Sequence, residues 1–265
     1  MSVTEAAVIP AAAHLELVAI EVARLAAAFV LEHADRATAL RTKSTPTDVV
    51  TETDLASESL IRRELQARCP GSTIVGEEYD DMVGSNEIGW IVDPIDGTVN
   101  FLYGLPVVSV SIAASLGGEV VAGAVADTRS GDVYSARRGG GARLEHNELS
   151  VSDPADLSTA LIGTGFAYDS AIRRDQAHVL TRLLPACRDI RCMGSAALNL
   201  CFVAAGLLDG YFERDIKLYD YAAGALIAAE AGAVVQPRSD RSDLTWAASP
   251  AIADDFRNLI DADVG

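Results

Sequence analysis

Basic residues are scarce in this sequence: 21 lysines and arginines stand against 38 aspartates and glutamates, a formal net charge of −17. That deficit argues against direct binding of nucleic acid or of an anionic membrane surface, since both are gripped through Lys and Arg. It favours cations as partners. Cysteine is sparse too. Cys69, Cys187, Cys192 and Cys201 form no C-x-x-C pair and no pattern with histidine, which argues against a disulfide framework and a zinc site and makes a reduced, cytoplasmic setting the expectation. A clean apolar run is also missing. The stretch MSVTEAAVIPAAAHLELVAIEVARLAAAFV has no basic n-region and is interrupted by Pro10, His14, Glu16, Glu21 and Arg24, so it reads as neither a signal peptide nor a membrane span. No internal repeat, low-complexity tract or long linker divides the chain.

What is present is ample apolar material, 49% of 265 residues, enough for one large domain or two packed halves. Leu15, Val18, Val22, Leu25 and Phe29 form one stripe of an amphipathic helix. RTKSTPTDVVTETD reads as a turn-rich polar segment, and LASESLIRRELQARCPG as a second helix stopped by Pro70-Gly71. The runs TIV, IGWIVD, VVSVSIAASL, EVVAGAVAD and DVYSAR follow as strands, the last three an antiparallel meander. Beyond about residue 150 strands alternate with helices: ALIGTGF, RRDQAHVLTRLLPAC, SAALNLCFVAAG, LDGYFE, DYAAGALIAAEAG, AVV, LTWAAS and PAIADDFRNLI. The expectation is an α+β half over 1–150 packed on an α/β half over 151–265, with the boundary near 148 to 152.

One stretch, WIVDPIDGTVNF, places two aspartates three residues apart after an apolar run. Pro94 biases Asp93 out of the helical region, so the strand is expected to end there and turn Asp93 and Asp96 toward a common point. Asp96-Gly97-Thr98 then reads as the start of a short helix. Free N–H groups there would accept a phosphate, and the adjacent carboxylates a hard cation. Asp-Gly is also an ordinary turn signal, and in isolation D-x-x-D-G is more often only that. Further acids at element ends favour a site. Glu77 follows the strand TIV, and Asp220 opens the Ala-rich helix of the second half. Glu77, Asp93, Asp96 and Asp220 offer oxygen only, while the four histidines are scattered, an inventory that suits magnesium rather than zinc.

The segments Lys43-Ser44 with DVVTETD ending at Asp54, GEE at 76–78, WIVDPIDGTVNF, GSAALNL at 194–200 and YFERDIKLYDYAAG occur in this order from residue 43 to residue 224. Together they resemble the inositol monophosphatase family, in its bacterial SuhB-like branch. The resemblance implies a layered αβαβα sandwich and a magnesium-dependent phosphomonoesterase holding two or three ions. Carried over, Glu77, Asp93 and the Ile95 carbonyl would bind one ion, and Asp93, Asp96 and Asp220 a second. Asp54 and Thr98, assisted by Glu77, would position and deprotonate water. Asp96, Gly97 and Thr98 would meet the phosphate, and Gly194, Ser195, Ala196 and Glu213 the polyol. A homodimer is the assembly implied. Plainer uses exist for several of these residues: Asp54 and Ser195 as helix caps, Glu213 as a strand-end acid, Lys43 and Lys217 as solvated lysines.

The chain departs from the family pattern at Tyr219, where tryptophan is usual, and at Tyr103, where histidine is often found. Three functions fit. One is hydrolysis of myo-inositol monophosphate. Another is a related phosphatase for fructose 1,6-bisphosphate, histidinol phosphate or a nucleotide 3'-phosphate, where Val99 in place of a basic residue counts against histidinol phosphate and Lys217 could meet a second phosphate. A third is binding to the transcription machinery, for which the acidic balance makes direct RNA contact a poor fit.

Overall fold

Apolar side chains alternate along the central strands, and this alternation sorts the helices into layers. The computed structural model describes residues 3–36, 38–42, 49–239 and 242–261, leaving aside the side chains of 3–10 and 36. Lys43 and Ser44 therefore lie outside the described residues. Helix α1 (Val3–Glu32) leads into a hairpin of β1 (Ala39–Thr42) and β2 (Val49–Thr51), then α2 (Glu52–Arg68). The first large sheet holds β3 (Thr73–Gly76), β4 (Ile88–Asp96), β5 (Ser109–Leu116), β6 (Glu119–Asp127), β7 (Val133–Arg137), β8 (Ala142–Leu144) and β9 (Asn147–Glu148). Short helix α3 (Thr98–Tyr103) interrupts it after β4.

The second sheet holds β10 (Leu161–Thr164), β11 (Asp189–Cys192), β12 (Gly210–Arg214), β13 (Val234–Gln236) and β14 (Leu244–Ala248), in the order β11-β10-β12-β14-β13. Its strands β11, β10 and β12 run parallel, whereas β14 pairs antiparallel with β12 and β13. Four helices accompany it: α4 (Ser170–Leu183), α5 (Ala196–Ala204), α6 (Leu218–Glu230) and α7 (Ala253–Ile260).

On one face of the first sheet, Val92, Val110, Ile112 and Ala124 pack against Val18, Val22 and Ala26 of α1 and Ile61 and Leu65 of α2. On the other, Ile91, Ala113 and Val125 meet Ala197 and Leu198 of α5 and Ala223 and Ile227 of α6. The far side of those two helices, through Leu200, Val203 and Ala228, packs on Tyr211 and Ala247 of the second sheet. Its outer face, with Ile162, Phe212 and Trp246, is covered by Val179 and Leu183 of α4 and Phe256 and Ile260 of α7. The order is helix, sheet, helix, sheet, helix, as the resemblance implied.

Details differ from the sequence expectation. Strand β4 does not stop at Asp93. Pairing with β5 breaks after Asp93 and resumes at Asp96 opposite Ser109, a register shift that absorbs the proline's missing N–H. Helix α2 starts upstream of Leu55, because Thr51 caps it and Asp54 completes a capping box from inside the first turn. The polar segment before it supplies β1 and β2, and the short strands β8, β9 and β11 have no clear signature in the sequence. The four cysteines are free, with Cys192 exposed and the others buried. Among the described residues no helix is long and apolar enough to cross a membrane.

The central helical layer is thin because its residues are small. A Cβ on Gly224 of α6 would lie 2.8 Å from the Leu200 Cβ of α5, and one on Gly123 would lie 3.0 Å from Ala223 Cα. Gly224→Val should therefore destabilise the protein by about 1–3 kcal/mol through overpacking, read as a lower denaturant midpoint. An unchanged midpoint would mean that the two helices are free to move apart there.

Candidate active site

Helix α2 presents its first turns to the end of β4. The Thr51 backbone N–H donates to Asp54 Oδ2 (2.9 Å), and the Thr51 hydroxyl makes a short contact to the same oxygen. That leaves Asp54 Oδ1 facing Thr98, whose Oγ1 lies 3.2 Å from it and 3.1 Å from the Ile95 carbonyl oxygen. Thr98 has one hydroxyl proton and can give it to only one of them. Ser57, one turn along α2, donates to the Pro94 carbonyl (3.2 Å). Asp54 thus serves the capping box from the third helical position, Thr51 being the N-cap, and reaches Thr98 with its other oxygen.

The carboxylates gather around this corner. Asp93, almost wholly buried, accepts from the Ile95 N–H (3.0 Å). Burial first, and then the negative charges of Glu77, Asp96 and Asp220, hold its carboxyl well above the usual aspartate range, with Glu77 in direct contact. Asp220 in the first turn of α6 is raised in the same way by burial, Glu77 and Asp96, while its Oδ2 accepts from the Lys217 N–H (2.5 Å). Asp96 is raised less. Burial pushes it up, but four donors oppose: Ser195 Oγ (2.5 Å), the N–H groups of Ala197 (2.8 Å) and Ala196 (3.1 Å), and Ser109 Oγ (3.2 Å). The first two residues of α5 and its Ser195 cap therefore hold a carboxylate from the other sheet.

Two glycines allow that approach. Gly97 has φ 99° and Gly194 φ 85°, left-handed values that disfavour a side chain. A Cβ on Gly97 would lie 3.0 Å from the Gly194 carbonyl oxygen, and one on Gly194 would lie 2.6 Å from Asn100 Nδ2. Asn100 ties the seam by donating to the carbonyls of Met193 (2.7 Å) and Val107 (2.8 Å). On the far side of Asp96, Glu213 accepts from the Tyr211 hydroxyl through Oε2 (2.6 Å). Burial raises Glu213 to about 7, against the lowering effect of that bond. Gly165 leaves room for it, since a Cβ there would fall 2.0 Å from Oε2.

Glu77, Asp93, Asp96, Asp220 and Glu213 thus act on one another at this corner, Asp54 meets it through Thr98, and Gly97, Gly194, Ser195 and Ala196 border it. Lys217 is half exposed and its ammonium pairs with Asp215 (2.9 Å), which also takes Arg238 (3.2 Å), in keeping with a lysine in solvent. Asn100, Ser109 and Tyr211 were not foreseen. Each acts through a partner remote in sequence or through a buried acid, and a lone Asn, Ser or Tyr in an apolar run carries no local signal.

Among the described residues no three Asp, Glu, His or Cys side chains are gathered as a ready metal cage. Each aspartate instead turns an oxygen to an N–H or hydroxyl. The donor set nonetheless fits a hard divalent cation. It is all oxygen, Asp93 and Asp96 are buried while Glu77 and Asp220 are partly exposed, and the charges raising Asp93 and Asp220 are those of neighbouring carboxylates. Asp96 Oδ1 takes a single N–H and keeps a lone pair for a further partner.

Comparison with known proteins agrees with this geometry. The sequence profile of the "Inositol monophosphatase family" matches residues 12–260. An "Inositol-1-monophosphatase" of Mycobacterium leprae is 49% identical over 230 residues, 82% of this chain and 79% of that protein. A "Nus factor SuhB" of Pasteurella multocida is 41% identical over 222 residues, 82% of this chain and 83% of that one. The solved structure of Mycobacterium tuberculosis SuhB superposes with a TM-score of 0.82 at 44% identity, covering 94% of this chain and 96% of that chain. With its layers, its acid-lined corner and a profile match across nearly its whole length, the chain belongs to the inositol monophosphatase family of phosphatases.

Proposed function

We propose that this protein hydrolyses myo-inositol monophosphate to inositol and phosphate with two or three magnesium ions. The carrying observation is the cluster of Glu77, Asp93, Asp96 and Asp220, in which burial and the neighbouring carboxylates hold Asp93 and Asp220 well above the usual aspartate range, a cost that a bound cation would relieve. We assign Glu77, Asp93 and the Ile95 carbonyl to one ion, and Asp93, Asp96 and Asp220 to a second. When bound, magnesium supplies Lewis-acid polarisation of the phosphate ester and an acidified water. In this reading the half over 1–150 provides most of the ligands, and the half over 151–265 provides Asp220 and the substrate contacts.

The chain's own groups do the rest. Asp54 Oδ1 accepts from the Thr98 hydroxyl, which turns a Thr98 lone pair toward the attacking water and gives its proton a path to a carboxylate. Glu77 assists as a neighbouring acceptor. Asp96 and the N–H groups of Gly97 and Thr98 border the phosphate. Gly194, Ser195 and Ala196 line the leaving group, and Glu213 accepts a polyol hydroxyl through Oε1 because Tyr211 occupies Oε2.

The name of the Mycobacterium leprae relative supports inositol monophosphate as substrate. Pairing of Lys217 with Asp215 weakens the case for a bisphosphate. A transcription-machinery role draws on the name of the Pasteurella relative, and a net charge of −17 argues that any such role proceeds by protein contact rather than by RNA binding. A homodimer in the cytoplasm completes the reading, the latter in keeping with four unbridged cysteines.

Asp93→Asn should lower turnover more than about 100-fold, beyond the roughly 10–100-fold cost of losing a group that merely supports a metal ligand. Near-normal activity at saturating magnesium would remove Asp93 from the site. Metal and pH should act together on stability. Carboxyls raised on folding favour the protonated native state, so their contribution is full below about pH 4, the unfolded range, and is lost as pH rises through the folded values. Magnesium should consequently raise the melting temperature more at about pH 8 than at about pH 5. Equal shifts at both would mean that these acids do not bind it. For Glu213, raised to about 7, the KM for inositol 1-phosphate should fall as pH rises through that value, and Glu213→Gln should flatten this limb; a variant that keeps the limb would assign it elsewhere.

A further inference from the structure

Beyond Asp54 and Ser57, the same face of α2 carries a buried ion pair that the reaction does not use directly. Glu58 is fully buried and Arg62, one turn later, is 9% exposed. Arg62 donates to Glu58 Oε1 through Nε (2.7 Å), and its Nη2 lies 2.7 Å from the same oxygen as an ion pair. The remaining valences of the pair all go to one loop. Glu58 Oε2 accepts the Glu78 N–H (2.7 Å), and Arg62 donates to the carbonyls of Tyr79 and Asp80 (3.1 Å each). The guanidinium also lies 5.7 Å from the centre of the Tyr79 ring. On the other flank of the loop, a Cβ on Gly76 would fall 2.2 Å from Glu58 Oε1 and 2.8 Å from Arg62 Nη2, so the glycine is pressed directly against the pair.

Glu77 sits between these two anchors. We propose that Glu58 and Arg62 are positioning residues that set the divalent-cation affinity of the site by clamping the backbone around Glu77. The inference rests on the metal reading above. Such a clamp has a use here: the Glu77 and Asp93 carboxyls are in contact and the charge of Glu77 raises the cost of ionising Asp93, so holding the backbone on both sides of Glu77 keeps the two acids at the spacing that a shared cation needs. The loop beyond is exposed at Val83, 85%, and is tied back to β3 from Met82 onward, where Met82 and Ile74 exchange two backbone hydrogen bonds (2.9 Å each), so residues 78–80 are the part that the ion pair holds. Stability alone is a poor reason for the pair, because burying two charges costs nearly what their attraction returns. Holding three consecutive loop residues by backbone bonds gives it a use that an apolar pair could not supply.

The test is calorimetric titration of metal-free protein with Mn²⁺, alongside the Mg²⁺ dependence of phosphate release and the melting temperature of the metal-free form. Glu58→Gln keeps an acceptor for the Glu78 N–H but leaves Arg62 without its counter-ion. Arg62→Lys keeps the charge but lacks the fork that reaches both carbonyls. In each variant the Mn²⁺ dissociation constant and the Mg²⁺ midpoint should rise about 10–100-fold, while kcat at saturating Mg²⁺ changes by far less. A lower melting temperature with unchanged Mn²⁺ affinity in the variants would make the pair merely structural and overturn the proposal. Should Glu58→Gln not fold, Arg62→Lys, which preserves the ion pair, decides it. If the unaltered protein binds no Mn²⁺, the metal reading itself falls; if it binds and the variants bind equally, only the clamp does.

Discussion

Repulsion among carboxylates buried at the end of β4 is the constraint around which this protein is arranged. Folding would ordinarily keep such groups apart or expose them. Here several elements force them together, and three of those elements are helices whose first turns point at the cluster. Asp54 lies in the first turn of α2, Asp220 in that of α6, and Asp96 at the start of α5. Unpaired N–H groups and the positive end of the helix dipole lower the cost of each charge. In the reading proposed above, the cost that remains on Asp93 and Asp220 is what a cation would relieve.

The architecture explains how so acidic a corner is tolerated. Helices α5 and α6 lie between two sheets, and Gly224 and Ala223 let them sit close to their neighbours. Because these helices are core, their first turns cannot swing away from the aspartates that they serve. Packing and chemistry share the same residues, so a volume change deep in the middle layer would also move Ser195 and Asp220.

Much of this was legible from residue order. Periodicity identified the main helices, alternating apolar runs identified the long strands, and the proximity of acids to element ends pointed to one site. Legibility failed where long-range contacts decide local form. Pro94 argued for a strand end, but Ser109 on the neighbouring strand recovers the pairing at Asp96. Thr51 begins α2 earlier than the apolar pattern suggests, because a capping box outweighs propensity there. Asn100, Ser109, Tyr211 and the pair Glu58–Arg62 hold the site together without any motif of their own. Strands as short and polar as β9 and β11 are defined by their partners alone.

The bonds that complete the cluster join distant parts of the chain: Asp54 and Thr98 are 44 residues apart, and Asp96 and the Ala197 N–H are 101. During synthesis the first sheet can form well before α5 leaves the ribosome. At about 5–20 residues per second, the Asp96 carboxylate waits roughly 5 to 20 seconds for its final donors. Until then it remains hydrated and without Ser195 and the first N–H groups of α5. A nascent or truncated chain consequently carries Asp54, Glu77, Asp93 and Asp96 but lacks Glu213 and Asp220, and the complete cluster is among the last features that the polypeptide acquires.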